Sequence, residues 1–273
     1  DHFTNASGPD KDSLELWTSL TFAATFTQRI EFGPLVTPIT FRHPSMTARY
    51  AAAVDDLSGG RLVLGMGAGW QEREHKKFGV PFYDFPTRYA MLREGLDVVT
   101  SLLQSDEPVS YQGKYFSLED AQLLPRPQRK GGPPLLIGGN GPKRTLPLVA
   151  QYASEWNAVY IQPDIYPERS QQLDELLRQQ GRQPQDVKRS LMTQVIYESD
   201  PAALEARVAR YERTPEELIA RGLIVGNAEQ IVEQIGQWVE RGVQRFMLQW
   251  LNQDDIDGLE QLAKHVLPHF HTD

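Results

Sequence analysis

No cysteine occurs among the 273 residues, which excludes disulfides, thiolate nucleophiles and cysteine-ligated metals. Also missing is any apolar run long enough to span a bilayer. No secretory signal is read at the start, so a cytoplasmic protein is expected. Positive charge is in deficit: 28 Lys and Arg stand against 36 Asp and Glu, a formal net charge of −8. Such a field repels polyanions, so neither nucleic acid nor an anionic membrane is an expected partner, although one local basic pocket for a small anion is compatible with it. With 40% hydrophobic and 23% charged residues, the chain can bury a full core. Its length suits one large α/β domain or two small ones.

Glycine is concentrated where apolar runs end. Leu135-Leu136-Ile137 empties into Gly138-Gly139-Asn140-Gly141, followed by Pro142, Lys143 and Arg144. This reads as strand, tight loop and a helix with Pro142 near its first turn. Free backbone N–H groups beside two cations suit a phosphate. The same glycines could instead serve only a tight turn. A second run, Leu62 to Gly67, ends in Gly67-Ala68-Gly69-Trp70.

Between these landmarks, apolar spacing alternates between strand and helix. After a polar loop from Thr4 to Ser13, Leu14, Trp17, Leu20, Thr21 and Ala24 give a helical stripe. Ile30, Phe32 and Leu35-Val36 read as a buried strand. Met46, Tyr50, Ala53, Val54 and Leu57 fall on one helix face, stopped by Ser58-Gly59-Gly60. Gln71 to Lys77 reads as a charged helix, and Thr87 as the cap of a helix burying Leu92, Leu96, Val99 and Leu103. Residues 108–118 alternate about a Gln-Gly turn and read as a small hairpin insertion. Trp156 to Tyr160, Ser190 to Tyr197 and Phe246 to Leu248 are further strands, the last of them buried. Asn227 with Gln230 forms a capping box. Leu218 to Ile224 has no clear pattern. Non-alternating apolar strands joined by helices imply a parallel sheet covered on both faces. About six strand–helix units fit, which leaves a doubly wound sheet and a (β/α)8 barrel open.

Several segments together resemble the bacterial-luciferase-like family of flavin- and deazaflavin-dependent oxidoreductases. They are Asp1-His2-Phe3, Arg29 to Thr37, Phe41-Arg42-His43-Pro44, Leu57 to Leu62, Gly65 to Trp70, Glu74-His75, Phe78 to Pro81, the Gly138 loop, Tyr152-Ala153 and Trp156-Asn157. The resemblance implies a single (β/α)8 TIM barrel over residues 1–273, with the cofactor at the C-terminal ends of the strands, where barrel sites lie. Within the family the chain resembles the branch using coenzyme F420. The implied activity is hydride transfer between F420 and a small organic substrate, and a homodimer is common in the family.

The resemblance also assigns residues. His2 would be the catalytic proton partner, because hydride transfer needs an acid or base of near-neutral strength. Asp1 would hydrogen-bond the cofactor. Leu35, Val36 and Thr37 would pass under its ring, often through a non-proline cis peptide. Ala68, Gly69 and Trp70 would lie along the ring edge, and Gly138, Gly139, Asn140 and Gly141 would hold its phosphate. His43 reads as a helix-entry residue, and His75, His265, His269 and His271 as surface or terminal residues. Glu72 and Glu74 read as a solvated helix face, and no metal site is expected. In the family the Asp-His-Phe motif closes the second strand. The first strand–helix–strand is therefore expected to be missing here, leaving the barrel incompletely closed or completed by another subunit. Two rival readings stand beside the first: an FMN-dependent luciferase-type monooxygenase, and a truncated, non-catalytic cofactor-binding barrel. Reduced flavin reacts with oxygen, whereas a deazaflavin lacks the N5 nitrogen and reacts poorly.

Overall fold

The structure, a computed structural model, describes residues 1–5, 8 and 10–271. Residues 6, 7 and 9 of the expected polar loop, and the last two of the expected 1–273 domain, lie outside the described residues. The chain divides into two compact units: Asp1–Gly138 with Lys143–Glu155, and Gly139–Pro142 with Trp156–Asp273. No helix among the described residues is long and apolar enough to cross a membrane.

The first unit carries α1 (Leu16–Phe26), β1 (Thr37–Pro38), α2 (Pro44–Leu57), β2 (Leu64–Gly67), α3 (Glu72–Phe78) and α4 (Phe85–Gln104). The hairpin strands β3 (Val109–Gln112) and β4 (Ser117–Ala121) follow, then β5 (Leu135–Gly138) and α5 (Thr145–Tyr152). Strands β1, β2 and β5 are parallel neighbours, Thr37 facing Met66 and Leu64 facing Leu135. The hairpin is antiparallel, as its alternation implied, with Gly113 N–H closing the turn onto Phe116 O at 2.9 Å. Helix α4 buries Leu92, Leu96, Val99 and Leu103 as expected, but its cap is Asp84, whose carboxylate accepts the Thr87 N–H. Thr87 therefore receives no capping role. Helix α5 starts at Thr145, so Pro142 precedes the helix instead of entering its first turn.

Two other expectations fail for packing reasons. The stretch from Ile30 to Val36 is not a buried strand. Ile30 and Leu35 are exposed, and among the described residues the segment's strand pairing ahead of β1 is a single Phe32–Leu62 bridge. In α2, Val54 of the expected face is buried, but Met46, Tyr50, Ala53 and Leu57 lie outward, while Thr47, Ala48, Ala51, Ala52 and Asp55 face inward. Small side chains let the helix pack closely, and Asp55 is buried with a partner. Its carboxylate accepts Arg129 Nε at 3.0 Å, a second guanidinium nitrogen, and the Leu62 N–H at 3.2 Å. Removing one member of a buried pair strands the other charge. Arg129→Ala is therefore expected to cost about 3–5 kcal/mol of stability, read as a lower urea midpoint with an unchanged slope.

The second unit carries β6 (Glu155–Val159, from Trp156 on), α6 (Tyr166–Gln179), β7 (Lys188–Tyr197), α7 (Pro201–Ala209) and α8 (Pro215–Ala220). It continues with β8 (Ile224–Gly226), α9 (Ala228–Glu240), β9 (Arg245–Gln249) and α10 (Ile256–Val266). Strand β7 is long enough to take two parallel partners in succession, β9 along Ser190 to Gln194 and β8 along Val195 to Tyr197. β6 lies on its other side. The stretch without a clear pattern resolves into α8 and β8. The Asn227 capping box is present at the head of α9. Strand β9 is only half-buried, against the expectation of a buried strand. The core centres on Trp156, stacked on Tyr166 at 5.5 Å, with Trp238 edge-on to Tyr166 at 5.6 Å. Burial pushes the Tyr166 hydroxyl up to about 12.

Candidate active site

In the first unit, β2 and the segment before β1 are built around close backbone approach. A Cβ on Gly67 would stand 2.5 Å from Val36 Cγ2, and one on Gly65 would meet Pro34 O at 2.1 Å. These glycines therefore make room for the 34–36 segment. The Leu35–Val36 peptide is cis, in line with the resemblance, and Leu35 remains partly exposed. Gly69 adopts a positive φ of 78°, closed to most side chains. Its carbonyl accepts Arg88 Nε at 3.2 Å, and the Arg88 guanidinium lies 4.1 Å from the Phe82 ring centre. The turn so formed delivers Trp70 with 66% of its surface exposed, so its indole is not a core aromatic.

Asp1 and Thr37 are brought together. The Thr37 hydroxyl donates to Asp1 Oδ2 at 2.6 Å, and Arg42 Nη1 donates to both, reaching Thr37 Oγ1 at 2.7 Å. Burial pulls the Arg42 guanidinium below its ordinary value, opposed by Glu15 at 3.8 Å. Arginine stays charged regardless. The expected cofactor contacts of Asp1 and Thr37 thus already serve an internal ion pair, in which Arg42 was not anticipated.

His2 sits next to Trp70, ring centres 5.8 Å apart and edge-on at 81°. Its Nδ1 is 2.8 Å from Glu74 Oε1. Glu74 is 2% exposed and its second oxygen accepts the N–H groups of Phe3 at 2.9 Å and Thr4 at 3.5 Å. Helix α3 therefore does not present Glu74 to solvent, in contrast to the expected solvated face, whereas Glu72 does pair with Lys76 on the surface at 2.8 Å. His75 is likewise no surface residue. It is fully buried, bonded to Thr40 Oγ1 and Gln71 O at 2.8 Å each, and packed on Phe41 and Phe82. His43 does cap α2, accepting the Ser45 N–H. Phe3 completes the anchor by stacking on Phe78 at 4.7 Å.

The second unit holds the loop after β5. Gly139, with φ of 124°, donates its N–H to Asn157 O at 2.9 Å and accepts Trp156 Nε1 at 2.8 Å. The Asn140 side chain bridges Val159 twice, giving Nδ2 to its carbonyl at 2.6 Å and accepting its N–H at 2.9 Å. The Gly139 N–H and Asn140 side chain are thus spent on holding the loop. Among the described residues, the main-chain amides of Asn140 and Gly141 have no partner in the chain. Tyr160, which follows β6 with a φ of 45°, gives its hydroxyl to Gln249, and burial raises that hydroxyl's pKa. Nothing in the local sequence marked it.

Gly138, in the first unit, ends β5 half-buried beneath Val36, and Ala68 is half-buried beside Gly69. Also in the first unit, Arg93, Lys143 and Arg144 line a hollow of about 320 Å³ with Tyr89 and Gln151. Among the described residues, none of the three cations is in an ion pair. In a chain of net charge −8, this is a concentrated positive patch.

A sequence profile of luciferase-like monooxygenases matches residues 1–214. The chain is 27% identical over 269 residues to the F420-dependent glucose-6-phosphate dehydrogenase of Microbacterium testaceum (strain StLB037), spanning 89% of this chain and 79% of that protein. It is 34% identical over 157 residues to 4-hydroxyprotoasukamycin monooxygenase of Streptomyces nodosus subsp. asukaensis, spanning 58% of this chain and 40% of that one. Among solved structures, an F420-dependent secondary alcohol dehydrogenase with an F420–acetone adduct superposes at a TM-score of 0.86 and 22% identity. The match covers 100% of this chain and 89% of that one. The F420-dependent tetrahydromethanopterin reductase of Methanopyrus kandleri superposes at 0.80 and 24% identity, covering 95% and 88%. These likenesses show the fold expected from the sequence, that of the luciferase-like barrel enzymes.

Proposed function

The chain belongs to the luciferase-like monooxygenase family, and on that premise we propose that it is an oxidoreductase passing hydride between coenzyme F420 and a small organic substrate. The observation that carries this reading is His2, an imidazole held through Nδ1 against an exposed indole, with Nε2 left for proton exchange.

The residues fit such a cofactor. The exposed faces of Leu35 and Trp70 offer apolar surface to a flat ring. In the second unit, the Asn140 and Gly141 amides suit a phosphate. When bound, the deazaflavin supplies a two-electron hydride acceptor or donor with little reactivity toward oxygen. As an alcohol C–H gives up hydride, His2 Nε2 takes the hydroxyl proton; in reduction it returns one. Trp70 covers His2 on one side, and Glu74 holds its far nitrogen.

The long match to F420-dependent dehydrogenases supports this cofactor over FMN. The FMN-dependent monooxygenase reading keeps one specific support, the 34% identity to a monooxygenase over 58% of the chain. Oxygen consumption separates the two. With reduced F420 or reduced FMN supplied in turn, the expected result is F420 oxidation by an acceptor such as a ketone, without oxygen uptake. Oxygen uptake supported by reduced FMN and coupled to substrate hydroxylation would reverse the assignment.

A further inference from the structure

We propose that Glu74 is a positioning residue that fixes the tautomer of His2, so that proton transfer occurs at Nε2 alone; this rests on the proton role of His2 proposed above. An ionised carboxylate can only accept hydrogen bonds. Its Oε1 lies 2.8 Å from His2 Nδ1, so in the neutral imidazole Nδ1 carries the hydrogen and Nε2 keeps its lone pair. Gln71 Nε2, placed 3.2 Å from the same Nδ1, is a donor facing a donor. Turning that amide over puts Gln71 Oε1 there instead, a choice open at any side-chain amide. Both neighbours then accept from one Nδ1–H.

The remaining contacts explain why the group is a carboxylate. Glu74 Oε2 accepts the Phe3 and Thr4 N–H groups while Oε1 serves His2. One side chain therefore accepts on both sides, tying the ring to the backbone that carries it. A glutamine of the same shape has one acceptor oxygen. It must turn its NH2 either on His2 Nδ1 or on the Phe3 N–H. In the first orientation Nδ1 becomes the acceptor, the hydrogen moves to Nε2, and the base is lost. When Nε2 takes a proton, the adjacent carboxylate also stabilises the imidazolium, as the acid partner does in hydrolase triads.

The test uses the full chain with 15N-labelled histidine. In the wild type without cofactor, His2 is expected to show the nitrogen shifts of the Nδ1–H tautomer. Glu74→Gln is expected to show mixed or Nε2–H character. In anaerobic turnover with F420, the same variant is expected to lose about 10–100-fold in kcat, with cofactor affinity unchanged, and Glu74→Asp to recover part of it. An Nε2–H tautomer in the wild type overturns the proposal, even if Glu74→Gln fails to fold. So does a Glu74→Gln variant with wild-type tautomer, whatever its kcat. The spectroscopic arm needs no cofactor, so it decides the role of Glu74 even for a chain that binds no F420, and failure of the hydride-transfer reading stays distinguishable from failure of this one.

Discussion

Exchanging His2 for asparagine is expected to lower kcat by about 10²–10⁴-fold, the usual yield of one positioned acid–base group. Cofactor affinity is expected to stay unchanged, because the residues we propose for the ring, Leu35 and Trp70, and for the phosphate, Asn140 and Gly141, are others. The split matters because the fold itself depends on this segment. Phe3 is anchored in the Phe41–Phe78 cluster, and Glu74 accepts the Phe3 and Thr4 N–H groups whichever residue stands at position 2. The backbone should therefore hold while the proton carrier is lost. Steady-state rates with a saturating alcohol, beside a cofactor titration, check both halves. A His2→Asn variant with undiminished kcat would remove His2 from the chemistry.

The second large effect concerns stability. Gly33→Ala is expected to destabilise the chain by about 3 kcal/mol, at the upper end of overpacking costs. A Cβ at Gly33 would stand 1.8 Å from Val63 O and 2.9 Å from Val63 C. Both are main-chain atoms that cannot rotate away. Val63 also donates its N–H to Phe32 O at 2.9 Å, so relief requires breaking that contact. The cis Leu35–Val36 segment, whose Val36 packs over Gly65 and Gly67, would shift with it. Gly236 is the control. It lies within α9 with nothing within 4 Å of an added Cβ, so Gly236→Ala is expected to be neutral or to stabilise by about 0.5–1 kcal/mol. Urea denaturation of the two variants gives the comparison. Equal midpoints would contradict the close approach of residues 33 and 63.

Much of the architecture was legible because it is written in local signals. The Leu135–Ile137 run, the Gly stops, the hairpin alternation and the Asn227–Gln230 box each name an element without reference to the rest of the chain. Sequence and structure part where a distant partner decides. In α2 the large side chains suggested one face, yet alanines and Asp55 take the interior because Arg129, 74 residues away, neutralises the carboxylate. In α3 the run Glu72 to Lys77 looks uniformly solvated. Only the return of residues 1–4 across its face makes Glu74 a buried acceptor, and only Thr40, Phe41 and Phe82 make His75 a packed side chain. The Gly139–Gly141 loop is tight, as its glycines imply, but the use of Asn140 as a staple depends on Val159 in the next strand. His2 itself stood out only through family resemblance, since an isolated histidine carries no local mark of a proton-transfer role.

The central claim, a tricyclic redox cofactor gripped by this chain, is tested most directly by titrating the intact protein with F420 and, separately, with FMN. Emission from the five tryptophans, of which Trp70 is one, and from the cofactor gives the readout. Saturable uptake of F420 at one site per chain is expected, stronger than that of FMN and with tryptophan quenching reduced in Trp70→Leu. Absence of uptake of either cofactor by folded protein would contradict the account.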